Sequence, residues 1–245
     1  HFGDPLLLPG PRGMRPTARA EALRAELREA LSRLDRLVRP ATFEPATSTQ
    51  TWPVMASDYS ELTIVAPALA RLRAEAPSTR LAVLQSRPPE LERLAESGAL
   101  DLAFHTTHDA PQRLRKRALF RERYVLVGRA GHPKVRRRPT LAQFGAHEHV
   151  LVSPAGGGFT APTDDALAAK GASRRVVLSV PHFSFALEAV AGSDLVAMMP
   201  ERLVKRRRDL RIVEAPIEVP GYEMAMLWPE RVHRDPAHRW LREVI

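Results

Sequence analysis

From Trp52 onward the apolar residues fall into short runs that alternate between two periods, and no other feature restricts the fold as strongly. Segments 52–56, 81–84 and 100–105, rich in aliphatic and aromatic side chains, read as strands. Between them, residues 60–76 place Leu62, Val65, Leu69 and Leu72 on one helical face, and 89–97 reads as a second helix. Pro67 falls inside the first helical pattern, so that helix starts late or kinks there. A βαβαβ order with helices of this length predicts right-handed crossovers and a parallel sheet. A second series follows. Its strands are predicted at 124–128, 149–153, 176–180, 195–199, 210–213 and 223–228, and its helices at 141–144, 161–170, 184–191 and 235–244. The expectation is an α/β protein of two Rossmann-like lobes, with a cleft at the carboxyl ends of the strands.

Ahead of the lobes, residues 17–38 contain neither Gly nor Pro, and Thr17 is a good helix cap. Leu23, Leu27, Ala30, Leu34 and Leu37 are spaced 4, 3, 4 and 3, a heptad seam flanked by Arg and Glu. Such a helix would be about 33 Å long and too narrow-faced to stand alone, which predicts pairing with a second helix. Residues 39–51, with Pro40, Pro45 and several Thr and Ser, read as a linker.

The 245 residues carry a formal charge of +9, concentrated in places. Residues 113–138 hold eleven Lys or Arg against the single acid Glu122, and Lys205-Arg206-Arg207-Arg208 forms a second run. Both read first as solvated loops and second as an anion-binding surface. Zero cysteines exclude a disulfide framework and a thiolate metal site. No apolar run approaches the ~18 residues of a membrane span, so a soluble protein is expected. The start at His1, without an initiator Met or a leader-like apolar run, suggests a piece of a longer chain.

Enzyme chemistry finds no support. The Gly-rich stretch at 153–160 lacks the Lys-Ser/Thr of a phosphate loop, and there is no GxSxG elbow. His105/His108 and His147/His149 lack the helical spacing of a zinc site. No catalytic residue, cofactor or metal is expected.

Several stretches together resemble LysR-type transcriptional regulators. Asp4-Pro5-Leu6-Leu7 and Gly13-Met14-Arg15-Pro16-Thr17, followed by the long helix, resemble that family's wing and linker helix. Ala56-Ser57-Asp58-Tyr59, Ser97-Gly98-Ala99-Leu100-Asp101-Leu102-Ala103, Gly128-Arg129-Ala130-Gly131-His132-Pro133 and Asp235-Pro236-Ala237-His238-Arg239-Trp240-Leu241 resemble its effector-binding module. Val180-Pro181-His182-Phe183 and Ser153-Pro154 look like the nodulation-regulator subgroup. The resemblance implies a periplasmic-binding-protein type II architecture behind a coiled-coil linker helix. It also implies that most of a helix-turn-helix precedes the chain in the intact regulator. The implied division is a wing remnant and dimerisation helix at 1–40, a linker at 41–51, lobe I at 52–113 and 230–245, and lobe II at 114–229.

The resemblance further implies a homodimer or homotetramer working in the bacterial cytoplasm, a small-molecule effector between the lobes, and DNA as the partner of the intact protein. Arg12 and Arg15 match wing positions that would touch DNA, and the leucine seam would dimerise. Strand-end logic nominates Ser57, Asp58, Tyr59, His105 and Thr106 from the first lobe. From the second come Ser153, His182, Phe183 and Ser184. Asp58 could instead cap the first helix, and Tyr59 and Phe183 could be core residues. A free helix start beside His182 and Ser184 favours an anionic effector. The competing readings are a periplasmic-type solute-binding protein, which shares two lobes, and a small α/β enzyme.

Overall fold

The computed structural model describes residues 1–245 except Arg12, 39–41, Arg136 and Ala155, and the side chains of 36–38 are likewise outside the description. Two compact units result, His1–Thr42 and Phe43–Ile245.

In the first unit a hairpin of β1 (Leu7–Gly10) and β2 (Gly13–Pro16) precedes the helix α1 (Ala18–Val38). Thr17 accepts the Ala20 N–H at 3.1 Å, and its hydroxyl donates to Asp4 at 2.6 Å. Cap and hairpin are thereby tied together. Leu23 is half-buried, whereas Leu27 and Leu34 are 59% and 57% exposed. Leu31, outside the heptad seam, is exposed as well, so the apolar stripe of α1 is broader than the seam alone. Ala30 is also exposed, and the side chain of Leu37 lies outside the described residues. Arg15 stands exposed on β2; Arg12 is outside the described residues.

The second unit opens with β3 (Thr51–Ala56), α2 (Asp58–Ser60), a π turn at Glu61–Val65 and α3 (Ala66–Glu75). Then come β4 (Arg80–Gln85), α4 (Leu91–Glu96), β5 (Leu102–Thr106), β6 (Leu114–Glu122) and β7 (Tyr124–Arg129). They are followed by α5 (Leu141–Gly145), β8 (Glu148–Val152), α6 (Pro162–Ala168), β9 (Arg175–Val180) and α7 (Phe183–Ala191). The chain ends with β10 (Val196–Pro200), α8 (Glu201–Val204), β11 (Leu210–Val213), β12 (Tyr222–Pro229) and α9 (Pro236–Val244).

Two five-stranded sheets form, ordered β4-β3-β5-β12-β6 and β11-β7-β10-β8-β9. β4, β3 and β5 are parallel, but β12 enters antiparallel to both β5 and β6. β12 and β6 therefore belong to the first sheet, not to the second lobe where the sequence placed them. The reason is packing: Met224, Met226 and Trp228 join the first core, and Leu114 joins the layer on the sheet's other face. The basic stretch at 114–122 is likewise an edge strand rather than a solvated loop. Phe43 packs against Trp52 and Trp240 and so belongs to the first sheet's core.

Pro67 falls at the start of α3, which follows a π turn. Ala66 N–H reaches back to Glu61 O in the π turn, and Pro67 then occupies the start of α3, where a missing N–H costs nothing. The inserted turn also changes the buried face. Ile64, Val65 and Leu72 enter the core, whereas Leu62 and Leu69 are exposed.

Candidate functional site

The site develops where β3 and β9 hand over to helices. β3 ends at Ala56, and Ser57 caps α2 in a reciprocal box: Ser57 N–H donates to Ser60 Oγ at 2.9 Å, and Ser60 N–H to Ser57 Oγ at 3.4 Å. Ser57, not Asp58, is thus the cap. Asp58 instead reaches across to the other sheet, and its Oδ2 accepts the Ser184 N–H of α7 at 2.9 Å. The place expected for a ligand carboxylate is filled by the chain's own carboxylate, which removes that support for an anionic effector. His182 precedes α7 and is exposed.

Tyr59 is 2% exposed and its hydroxyl donates to Glu122 Oε2 at 2.6 Å. Glu122 Oε1 accepts the Arg123 N–H at 2.9 Å, and the Arg202 guanidinium lies 3.8 Å from Oε2. The Tyr59 ring meets Phe183 and Tyr222 edge-on at 6.0 and 5.8 Å, and Tyr222 in turn meets Tyr124 at 5.8 Å. Tyr59 is therefore core, and Phe183, half-buried, packs against the cores of both sheets. Burial first, and then the Glu122 bond, pushes the Tyr59 hydroxyl well above its ordinary range; burial does the same for Tyr222 and Tyr124. Tyr59 is therefore a neutral donor, and Glu122 is its acceptor.

The same place is the crossing between the sheets. β6 passes into β7 through Arg123 alone, and the chain returns through Gly221 into β12. A side chain at Gly221 would come within 2.2 Å of the Glu122 carbonyl oxygen, so the two crossing segments touch backbone to backbone.

Ser153 follows β8 and lines a recess of about 290 Å³ between α6 and the second sheet, with Thr163, Arg174, Phe183 and Met198. The Arg174 side chain is 1% exposed and holds both oxygens of Asp164 at 2.8 Å, while Asp164 Oδ2 accepts the Ala161 N–H at 2.7 Å. Burial pushes the Asp164 carboxyl up, but the Arg174 bonds and charge outweigh it and leave it below its ordinary value. His105 and Thr106 bond to each other, Thr106 also to Asp109 at 2.9 Å, and neither bonds to the other candidates among the described residues. Ser57 to Tyr59 and Phe183 to Ser184 are thus brought together, Ser153 shares the recess with Phe183, and His105 and Thr106 stand apart. Sequence reasoning missed the buried partners, Glu122, Tyr222 and Arg174. Glu122 had one visible signal, as the single acid in a long basic run. Among the described residues no group of three His, Asp or Glu is placed to hold a metal, and no helix is long and apolar enough to cross a membrane.

The family model for the LysR substrate binding domain matches residues 47–245. The HTH-type transcriptional regulator SyrM 1 of Sinorhizobium fredii is 32% identical over 100% of this chain and 72% of its own length. Nodulation protein D 2 of Bradyrhizobium diazoefficiens is 29% identical over 100% of this chain and 75% of its own. The crystal structure of probable transcriptional regulator PA0477 from Pseudomonas aeruginosa superimposes with a TM-score of 0.70 at 29% identity, covering 99% of this chain and 81% of that one. Full-length CbnR complexed with its target DNA, 16% identical with a TM-score of 0.61 over 99% and 83% of the two chains, shares the fold. Two mixed sheets exchanging crossing strands, with helix starts meeting between them, define a two-lobed effector-binding module. The chain belongs to the LysR family of transcriptional regulators, and residues 47–245 are its effector-binding domain.

Proposed function

We propose that this chain senses a small molecule between two lobes, 43–122 with 222–245 and 123–221, and passes the change in lobe angle to DNA bound by the intact regulator. The observation that carries the reading is the Asp58–Ser184 bond, which joins the helix starts of the two sheets at 2.9 Å. A ligand entering there either spans the same two helices or displaces that carboxylate, and each changes the angle between lobes. Ser57 and His182 flank the bond from opposite sheets and would be first to meet the ligand. With Asp58 in the anion position, the helix starts accommodate a neutral effector as well as an anionic one that displaces the carboxylate. A small-metabolite thermal-shift screen would identify a ligand. Ser57→Ala and His182→Ala are each expected to weaken it by about tenfold, which is 1.4 kcal/mol. Unchanged affinity in both would place the site elsewhere.

The reading includes self-association and, for the intact regulator, work in the bacterial cytoplasm as a regulator without catalysis. The exposed leucines of α1 have the chemistry of a dimer seam, and Arg15 on the hairpin suits a phosphate contact. A second contact between copies draws support from Leu69 on α3 and Phe185 on α7, which are 40% and 56% exposed. Leu187 and Val190 of α7 face their own sheet and are buried. Leu27→Asp with Leu34→Asp is expected to lower the mass measured by light scattering, and Leu69→Arg to turn a tetramer into dimers. A wild-type mass left unchanged by the Asp pair would remove the seam.

A further inference from the structure

The two basic runs, about eighty residues apart in sequence, meet at the crossing between the sheets. Arg121 and Arg123 come from the first, at the end of β6 and just beyond it; Lys205 opens the second, immediately after α8, which carries Arg202. With Glu122 and Glu201 they enclose a recess of about 270 Å³. Four cations against two carboxylates leave it positive, and the carboxylates are already engaged. Glu122 is 5% exposed, and its oxygens accept from Tyr59 and from the Arg123 N–H. Glu201 is held by two N–H groups of Arg123, one of them at 3.0 Å.

The remaining three cations have weak counter-charges. Arg121 is 89% exposed and lies 3.7 Å from Glu223; Arg202 lies 3.8 Å from Glu122 and stacks on the Phe120 ring at 3.8 Å. Both separations are beyond hydrogen-bond length. Lys205 forms no salt bridge within 4 Å among the described residues, and its charge acts on Glu201 only at longer range. Arg121 stands on the first sheet and Arg202 and Lys205 on the second unit's other half, so a ligand held by all three spans the crossing.

We propose that this recess binds a compact multivalent anion of the oligophosphate class, at a site separate from the effector cleft. Two guanidinium forks and an ammonium match the bidentate and point-charge contacts that phosphoryl oxygens take. The volume is at the lower limit for a ligand pocket, which suits diphosphate or triphosphate better than a larger organic molecule. Because it bridges both sheets, the bound anion would stiffen the crossing whether or not the cleft is filled.

Isothermal titration of the whole chain with inorganic triphosphate, at fixed ionic strength set with chloride, tests this without any effector. Saturable one-to-one binding is expected. Arg202→Gln and Lys205→Gln should each weaken it at least fivefold, whereas Arg211→Gln, which removes an exposed charge on β11 outside the recess, should change it less than twofold. Lys205 is exposed and follows a short helix, so its variant remains informative if the Arg202 variant folds poorly. No saturable binding, or equal loss in all three variants, would overturn the site. Displacement of triphosphate by a random-sequence DNA duplex with the same variant pattern would also overturn it, by making the surface a polyanion track.

Discussion

Gly221→Val is expected to cost about 3 kcal/mol or more and to lower the melting temperature by roughly 6–12 °C. The added Cβ would meet the Glu122 carbonyl oxygen at 2.2 Å, and both partners are backbone, so no side-chain rotation relieves the clash. Separating the segments would also pull Glu122 from the Tyr59 hydroxyl and leave a buried donor without its acceptor. Differential scanning calorimetry of the variant beside wild type reads the effect. A melting temperature within a degree or two of wild type would show that the crossing is not the tight junction described.

Acid should destabilise the protein well before its carboxylates are protonated. His149 and His238 are 0% and 1% exposed, and burial above all lowers each to about 4. His149 sits near Arg174, His147 and Asp164, with its Nε2 2.9 Å from Phe144 O. His238 lies near Arg242 and Asp235, with its Nε2 2.8 Å from Asp101 O. Both stay neutral in the folded chain while the unfolded chain takes up protons below its ordinary value of 6.5. The unfolded state then binds more protons, so stability falls as pH falls, by about 1.4 kcal/mol per unit for each histidine, and levels off near 4. From pH 7 to pH 5 the pair should cost roughly 3–4 kcal/mol. Urea titrations at the two pH values measure it, and His149→Gln should remove about half the difference. Equal unfolding free energies at both pH values would contradict the burial of these rings.

Strands and helices with one apolar face were readable because the period survives in the sequence. β3, β5, α7 and α9 fall within a residue or two of the segments read from pattern alone. β6 was not readable. It is an edge strand with Arg115, Lys116, Arg117 and Arg121 exposed, and a bulge at Leu119 breaks its alternation where Met224 and Ala225 pair with Phe120 and Ala118. Its partner β12 was recognised as a strand, but its sheet depends on a pairing more than a hundred residues away. At the site, chain position placed Ser57 and Ser184 at helix starts, but not the Asp58 bond that joins them. Which carboxylate reaches which helix across 126 residues is a tertiary outcome without a local signal.

β6 also closes the first sheet at one side, and among the described residues no strand pairs with its outer row of backbone N–H and C=O groups. An open edge of this kind invites another chain to add on and extend the sheet. Two copies laid edge to edge would bring Lys116 and its flanking arginines against their own counterparts, and the bulge would put the ladders out of step. Like charges and a broken register on that edge oppose extension of the sheet from one copy to the next.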